Sequence, residues 1–131
     1  MSSDRDRAKV RVLVAEDDDM LLGLIERHLL GRGYEVMISR DGRDAMERLT
    51  KELVDVLLTD IGMPGLGGMA LIRWSRANRP TVRIVAMTGL GTPELITACL
   101  ELGASRCLTK PFRMENLERA IAQVAAEGPG S

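Results

Sequence analysis

Short apolar runs alternate with amphipathic stretches along almost the whole chain. Val10-Arg11-Val12-Leu13-Val14-Ala15 is brief and β-branched, the pattern of a buried strand. Residues 19–31 carry Leu21, Leu24, Ile25, His28 and Leu29 at helical spacing, and Gly31 and Gly33 end the pattern. Tyr34 to Ile38 predicts a second strand. Asp41-Gly42 is a turn and cap signal, followed by a helix over 43–53 with Ala45, Met46, Leu49 and Leu53 on one face. Asp55 to Thr59 predicts a third strand, and the Pro- and Gly-punctuated stretch Met63 to Gly68 a loop. A helix over 69–77, stopped by Asn78 and Pro80, leads to a fourth strand, Val82 to Met87. Thr92-Pro93-Glu94 is an N-cap with Pro at the first helical position, opening a helix to Leu102. Ser105 to Leu108 predicts a fifth strand, and residues 114–126 a last helix with Leu117, Ile121 and Val124 inward.

The order is five βα units. Strands apolar on both faces need helices above and below, which implies a parallel sheet. Right-handed crossovers make it an α/β doubly wound three-layer sandwich. Five strands in a chain of this length suit the flavodoxin-like order 2-1-3-4-5. The expected domain is residues 9–126. Residues 1–8 are polar and expected to be disordered, and 127–131 read as a linker stub or an expression scar.

Composition narrows the function. With 18 basic and 19 acidic residues the net charge is −1, so there is no general pull toward nucleic acid or an anionic membrane. Tyr34, Trp74 and Phe112 are the only aromatic residues, too few for a base-stacking surface. No apolar run approaches the roughly 20 residues of a membrane span. The first nine residues lack the apolar core of a secretion signal, which points to the cytoplasm. One histidine, two cysteines and no CxxC leave no ordinary zinc site.

In a parallel sheet, ligands sit beyond the carboxyl ends of the strands. There the sequence places Glu16-Asp17-Asp18-Asp19 after strand 1, Asp60 after strand 3, Thr88 after strand 4 and Lys110-Pro111 after strand 5. Two carboxylates about 4 Å apart repel by about 4 kcal/mol at an effective dielectric near 20. Glu16, Asp17 and Asp60 converging at a buried edge therefore need a proton or a hard cation between them. Oxygen-only ligands with room for water favour Mg²⁺. One of Asp18 and Asp19 is accounted for as an N-cap. Asp60 can act as a nucleophile and carry a phosphoryl group as an acyl phosphate. Lys110, one of three lysines among the 18 basic residues, can supply a compact positive charge. Thr88 can offer its hydroxyl to a phosphoryl oxygen or to the loop backbone.

The segments VLVAEDDDM, DVLLTDIGMPG, VRIVAMTG and LTKPF, in this order and spacing, resemble the receiver domain of two-component response regulators. The resemblance implies Asp60 as phosphoacceptor and Asp17 as a direct Mg²⁺ ligand, with Glu16 acting through water. It implies Gly62 as a ligand through its backbone carbonyl, Thr88 as the switch hydroxyl, Lys110 as the family's lysine, and a cis peptide before Pro111. It also implies a partner, a sensor histidine kinase or a histidine phosphotransfer protein, whose phosphohistidine supplies the phosphoryl group. Hydrolysis by an in-line water then resets Asp60. Such a domain is a signalling switch rather than an enzyme with an external product, and is expected as a monomer or a weak phosphorylation-dependent dimer.

Three positions depart from the family pattern. Cys107 stands where Tyr or Phe is usual, so an aromatic rotation coupled to Thr88 is unavailable. Gly67 stands where an acid is common, which loosens the following helix cap. Gly62 has no side chain to guide an attacking water. Cys99 and Cys107 lie in apolar patterns with nothing obvious to lower their pKa. His28 reads as a boundary residue, Trp74 as edge packing, and Arg73, Arg76, Arg79 and Arg83 as a solvated face. The competing readings are a haloacid-dehalogenase-like phosphatase using Asp17 and Asp19, a flavodoxin-like cofactor binder, and a scaffold that is never phosphorylated. The phosphatase wants a cap insertion for which the chain is short. A cofactor phosphate would meet four consecutive acids.

Overall fold

The computed structural model describes residues 9–127. The expectations for 1–8 and for 128–131 fall outside the described residues. Five strands, β1 (Arg11–Ala15), β2 (Glu35–Ser39), β3 (Val56–Asp60), β4 (Arg83–Thr88) and β5 (Arg106–Thr109), form one sheet in the order β2-β1-β3-β4-β5. Every pairing is parallel. Five helices connect them: α1 (Asp19–Gly31), α2 (Gly42–Lys51), α3 (Gly68–Asn78), α4 (Pro93–Leu102) and α5 (Met114–Glu127). This is the doubly wound, flavodoxin-like sandwich that the hydrophobic pattern predicts.

Alternation along the strands builds two cores. Val12, Val14, Val56, Leu58, Val85 and Met87 meet Leu22, Ile25 and Leu29 of α1 and Leu117, Ile121 and Val124 of α5. Leu13, Ala15, Leu57, Ile84 and Ala86 face the other way, onto Ala45 and Leu49 of α2, Leu71 and Ile72 of α3, and Cys99 of α4. Burying a Leu or Ile side chain contributes about 1.5–3 kcal/mol, so these two layers hold the sheet.

The helix starts follow the cap chemistry. Asp18 accepts from the Met20 and Leu21 amides, Asp41 from Asp44, and Thr92 from Leu95. Gly67, at the start of α3, makes no side-chain cap bond.

Several details correct the sequence reading. β2 to β5 each lie one residue further along than their apolar runs, because ladder pairing carries on through polar residues such as Asp60 and Thr88, while β1 starts one residue later and ends at Ala15 as expected. α2 stops at Lys51, so Leu53 leaves the apolar face and is 78% exposed. On α1 it is Leu22 that is buried, while Leu24 is exposed. α5 includes Glu127, whose carboxylate holds Arg106 at 3.0 Å, so residue 127 belongs to the helix rather than to a tail. The arginine face is not one face. Arg79 donates to the Leu49 and Thr50 carbonyls at the end of α2, and Arg83 is buried. His28 is half-buried and Trp74 packs at the edge of the second core, both as expected.

Candidate functional site

Parallel strands bring all their carboxyl ends to one edge, and backbone bonds extend the ladder past those ends. Glu16 N–H donates to the Ser39 carbonyl at 3.0 Å, Ile61 N–H to Met87 at 3.0 Å, and Lys110 N–H to Thr88 at 2.7 Å. Residues just beyond the strands are thereby tied to the neighbouring strand. Asp60 is the last residue of β3, buried, and paired in register with Met87. Two glycines let α2 and α3 approach. A Cβ on Gly68 would collide with the Asp60 carbonyl oxygen, and one on Gly42 with that of Leu66.

Among the described residues, carboxylate oxygens of Glu16, Asp17 and Asp60 all lie within 4.8 Å of one another. Glu16 is 1% exposed, Asp60 is buried and Asp17 opens to solvent. Lys110 Nζ sits 2.9 Å from Glu16 Oε1 and 3.5 Å from Asp60 Oδ2. The Asp18 amide donates to Glu16 Oε2 at 3.0 Å, and the Gly62 amide to Asp60 Oδ1 at 3.1 Å. The peptide before Pro111 is cis.

Burial pushes the Glu16 carboxyl above its ordinary pKa, and the nearby Asp60 charge adds to this. The Lys110 and Asp18 hydrogen bonds oppose the shift without cancelling it. Burial alone would lower Lys110. The Glu16 bond and the Asp60 and Glu16 charges outweigh it, so the ammonium is held protonated. The Lys110 shift reflects the negative charge that surrounds the ammonium. Three carboxylates against one ammonium leave an excess of two negative charges, the charge of one divalent cation. An all-oxygen donor set, one member of it open to water, fits Mg²⁺.

The remaining candidates separate. Thr88 is buried at the end of β4, and its hydroxyl is occupied by the Leu90 backbone, donating to the carbonyl and accepting from the amide, each at 3.0 Å. Gly62 is exposed, and a Cβ there would lie 3.7 Å from Asp60 Oδ1, in ordinary contact. Asp18 serves as the N-cap. Asp19 is outside the trio and takes Arg40 Nε at 2.6 Å. The Asp17/Asp19 pair of a phosphatase is therefore split by the fold. Arg40, just past the end of β2, was not singled out by the sequence, since no motif marks it.

A doubly wound α/β domain with three carboxylates and a lysine at its switch point defines the class, and the comparisons agree with it. Residues 12–122 match the response regulator receiver domain family, and the chain belongs to it. The receiver domain of the Francisella response regulator 1452 superposes with a TM-score of 0.87 at 25% identity, covering 91% of this chain and 98% of that one. The chemotaxis response regulator CheY4 of Vibrio cholerae gives 0.84 at 28%, covering 89% and 99%. A response regulator from Chloroflexus aurantiacus gives 0.85 at 31%, covering 90% and 98%. Among curated relatives, the DNA-binding transcriptional regulator NtrC of Escherichia coli is 32% identical over 115 residues, 85% of this chain but 24% of NtrC. The sensor histidine kinase RcsC of Salmonella typhi is 30% identical over 119 residues, 83% of this chain and 13% of RcsC. The chain thus spans a quarter or less of these two relatives. Among the described residues no helix is long and apolar enough to cross a membrane.

Proposed function

We propose that this domain, residues 9–126 in the sequence reading, is a phosphorylation-dependent signalling switch with Asp60 as its phosphoacceptor. The observation that carries the reading is the convergence of Glu16, Asp17 and Asp60 around the Lys110 ammonium. A carboxylate oxygen of Asp60 attacks phosphorus, and the P–N bond of a partner's phosphohistidine breaks. The imidazole leaves and Asp60 becomes an acyl phosphate. Asp17 and Asp60, with Glu16 through water and the Gly62 carbonyl, would hold Mg²⁺. When bound, it supplies charge neutralisation for the incoming phosphoryl oxygens.

Lys110 lies close enough to both Glu16 and Asp60 to follow charge as it develops on a transferred group. Thr88 reaches that group only by giving up its bonds to Leu90, which couples the β4–α4 loop to the state of Asp60. Water attacking phosphorus in line returns Asp60 to the free acid. The donor is a sensor histidine kinase or a histidine phosphotransfer protein. Incubation with Mg²⁺ and acetyl phosphate, read by intact mass, tests the proposal. One phosphoryl group is gained by the wild type, and none by Asp60→Asn or without the metal. A wild type that gains nothing under these conditions contradicts it.

A further inference from the structure

Cys99 and Cys107 are the only thiols in the sequence, and the fold brings both to the same hydrophobic core. α4 ends at Leu102 and is capped by Gly103, whose φ of 129° turns the chain sharply. The Ala104 amide then donates back to the Cys99 carbonyl at 3.1 Å, so β5 begins alongside the last turns of α4. Leu108 packs into the core under α1 and α5, while Cys107 takes the opposite face and packs against the core that contains Cys99. Both side chains thus belong to one apolar layer, on two elements joined by a short turn. Cys99 is fully buried and Cys107 half-buried, so Cys107 is the more accessible residue of the two.

We infer that Cys99 and Cys107 form an oxidisable dithiol that closes into an intramolecular disulfide, tying α4 to β5. The oxidant class is a hydroperoxide. The sulfur of the half-buried Cys107, as thiolate, attacks the terminal peroxide oxygen and the O–O bond breaks. The departing oxygen takes a proton, and Cys107 is left as a sulfenic acid. The Cys99 sulfur then attacks Cys107 Sγ. The S–S bond forms and water leaves, carrying the Cys99 proton. Two thiols and hydrogen peroxide give one disulfide and two waters.

The position gives the bridge a consequence. β5 runs directly into Lys110, whose amide holds the Thr88 carbonyl at 2.7 Å. Gly91 lies so close to Thr109 that a Cβ there would be 2.6 Å from its hydroxyl oxygen. A covalent tie between α4 and β5 therefore pins the short loop from Thr88 to Thr92 between two anchored elements. Burial raises both thiol pKa values, so closure is slow at neutral pH and accelerates as pH rises. The inference stands whether or not Asp60 is phosphorylated.

The whole chain is exposed under native conditions to hydrogen peroxide, and to diamide in parallel. The oxidant is quenched, and the protein is denatured in iodoacetamide and mapped by mass. The expected product is a monomer two hydrogens lighter, with neither cysteine alkylated and a linked Cys99–Cys107 peptide. Dithiothreitol restores two alkylatable thiols. Cys99→Ser stops at a sulfenic acid on Cys107 that dimedone captures. Cys107→Ser keeps Cys99 alkylatable, and serves where the buried substitution fails to fold. Wild type that keeps both thiols alkylatable, links only between chains, or carries sulfinic acid at Cys107 beside a free Cys99 overturns the inference.

Discussion

Lys110 Nζ lies 2.9 Å from Glu16 Oε1, bridging residues 94 positions apart and making the closer of the lysine's two carboxylate contacts. Glu16 is thus the anchor that aims the ammonium at Asp60. Lys110→Met leaves a buried carboxylate without its cation. We expect a loss of about 1–3 kcal/mol in the free energy of urea unfolding without divalent metal. Added Mg²⁺ recovers part of it, because the same charge excess can be met by the ion. A variant as stable as wild type in metal-free buffer would show that the pair holds nothing together.

Arg83 presents the opposite case. Its Nε and Nη2 are buried without hydrogen-bond partners among the described residues, so these two nitrogens lose hydration and no ion pair among the described residues replaces it. Replacing an unpaired buried charge with an apolar side chain of similar length removes that cost. Arg83→Met should therefore unfold at higher urea, by about 1–3 kcal/mol. A lower midpoint would mean that the arginine stem packs better than the thioether chain.

Two glycines near Asp60 make a contrast. A Cβ on Gly68 would strike the Asp60 carbonyl oxygen, so Gly68→Ala must move backbone and should cost about 1–3 kcal/mol in chemical denaturation. A Cβ on Gly62 meets Asp60 Oδ1 at an ordinary 3.7 Å. Gly62→Asn should leave stability within about 0.5 kcal/mol. It places an amide beside Asp60 that can hold an attacking water, so the phosphorylated form should decay faster. Unchanged decay in a phosphate-release assay would remove this position from control of the lifetime.

The thiols give a pH prediction. Burial, with smaller contributions from Cys99, pushes the Cys107 thiol up to about 11. The nucleophile is the thiolate, so iodoacetamide at pH 8 should modify Cys107 on the order of 10²-fold more slowly than a small free thiol. The rate should climb about tenfold per pH unit, as the thiolate fraction does, and level off near pH 11. For the same reason the folded form holds this proton more tightly than the unfolded chain. Its contribution to stability is full below pH 9, the unfolded value, and is lost as pH rises through about 11. A plateau already reached at pH 9 would contradict the burial argument.

Much of the fold was legible because hydrophobic period reports burial directly. Val12 and Val14 against Leu13 and Ala15 announce a strand covered on both faces, and the two cores take those residues alternately. The ends of β2 to β5 were read one residue short, as at β3, where apolarity gives out by Thr59 while the hydrogen-bonded ladder continues to Asp60. Leu53 was misplaced because helical spacing cannot sense that α2 has already ended at Lys51. The acidic cluster followed from topology, which fixes which strand ends are neighbours. The Glu16–Lys110 contact and the burial of Arg83 did not, because both depend on where a long side chain turns after leaving the backbone. The adjacency of Cys99 and Cys107 was hidden for a related reason, as it arises from the Gly103 reversal rather than from any spacing motif.

The central claim is that Asp60, among the clustered acids, receives the phosphoryl group. Borohydride reduces an aspartyl acyl phosphate to homoserine and leaves free carboxylates alone. The protein should be phosphorylated from a phosphohistidine donor in Mg²⁺, reduced, and mapped by peptide mass. The account predicts homoserine at position 60 and nowhere else, with none when the metal is withheld. Homoserine at position 17 or 19, or unmodified acids throughout after exposure to a competent donor, would contradict it.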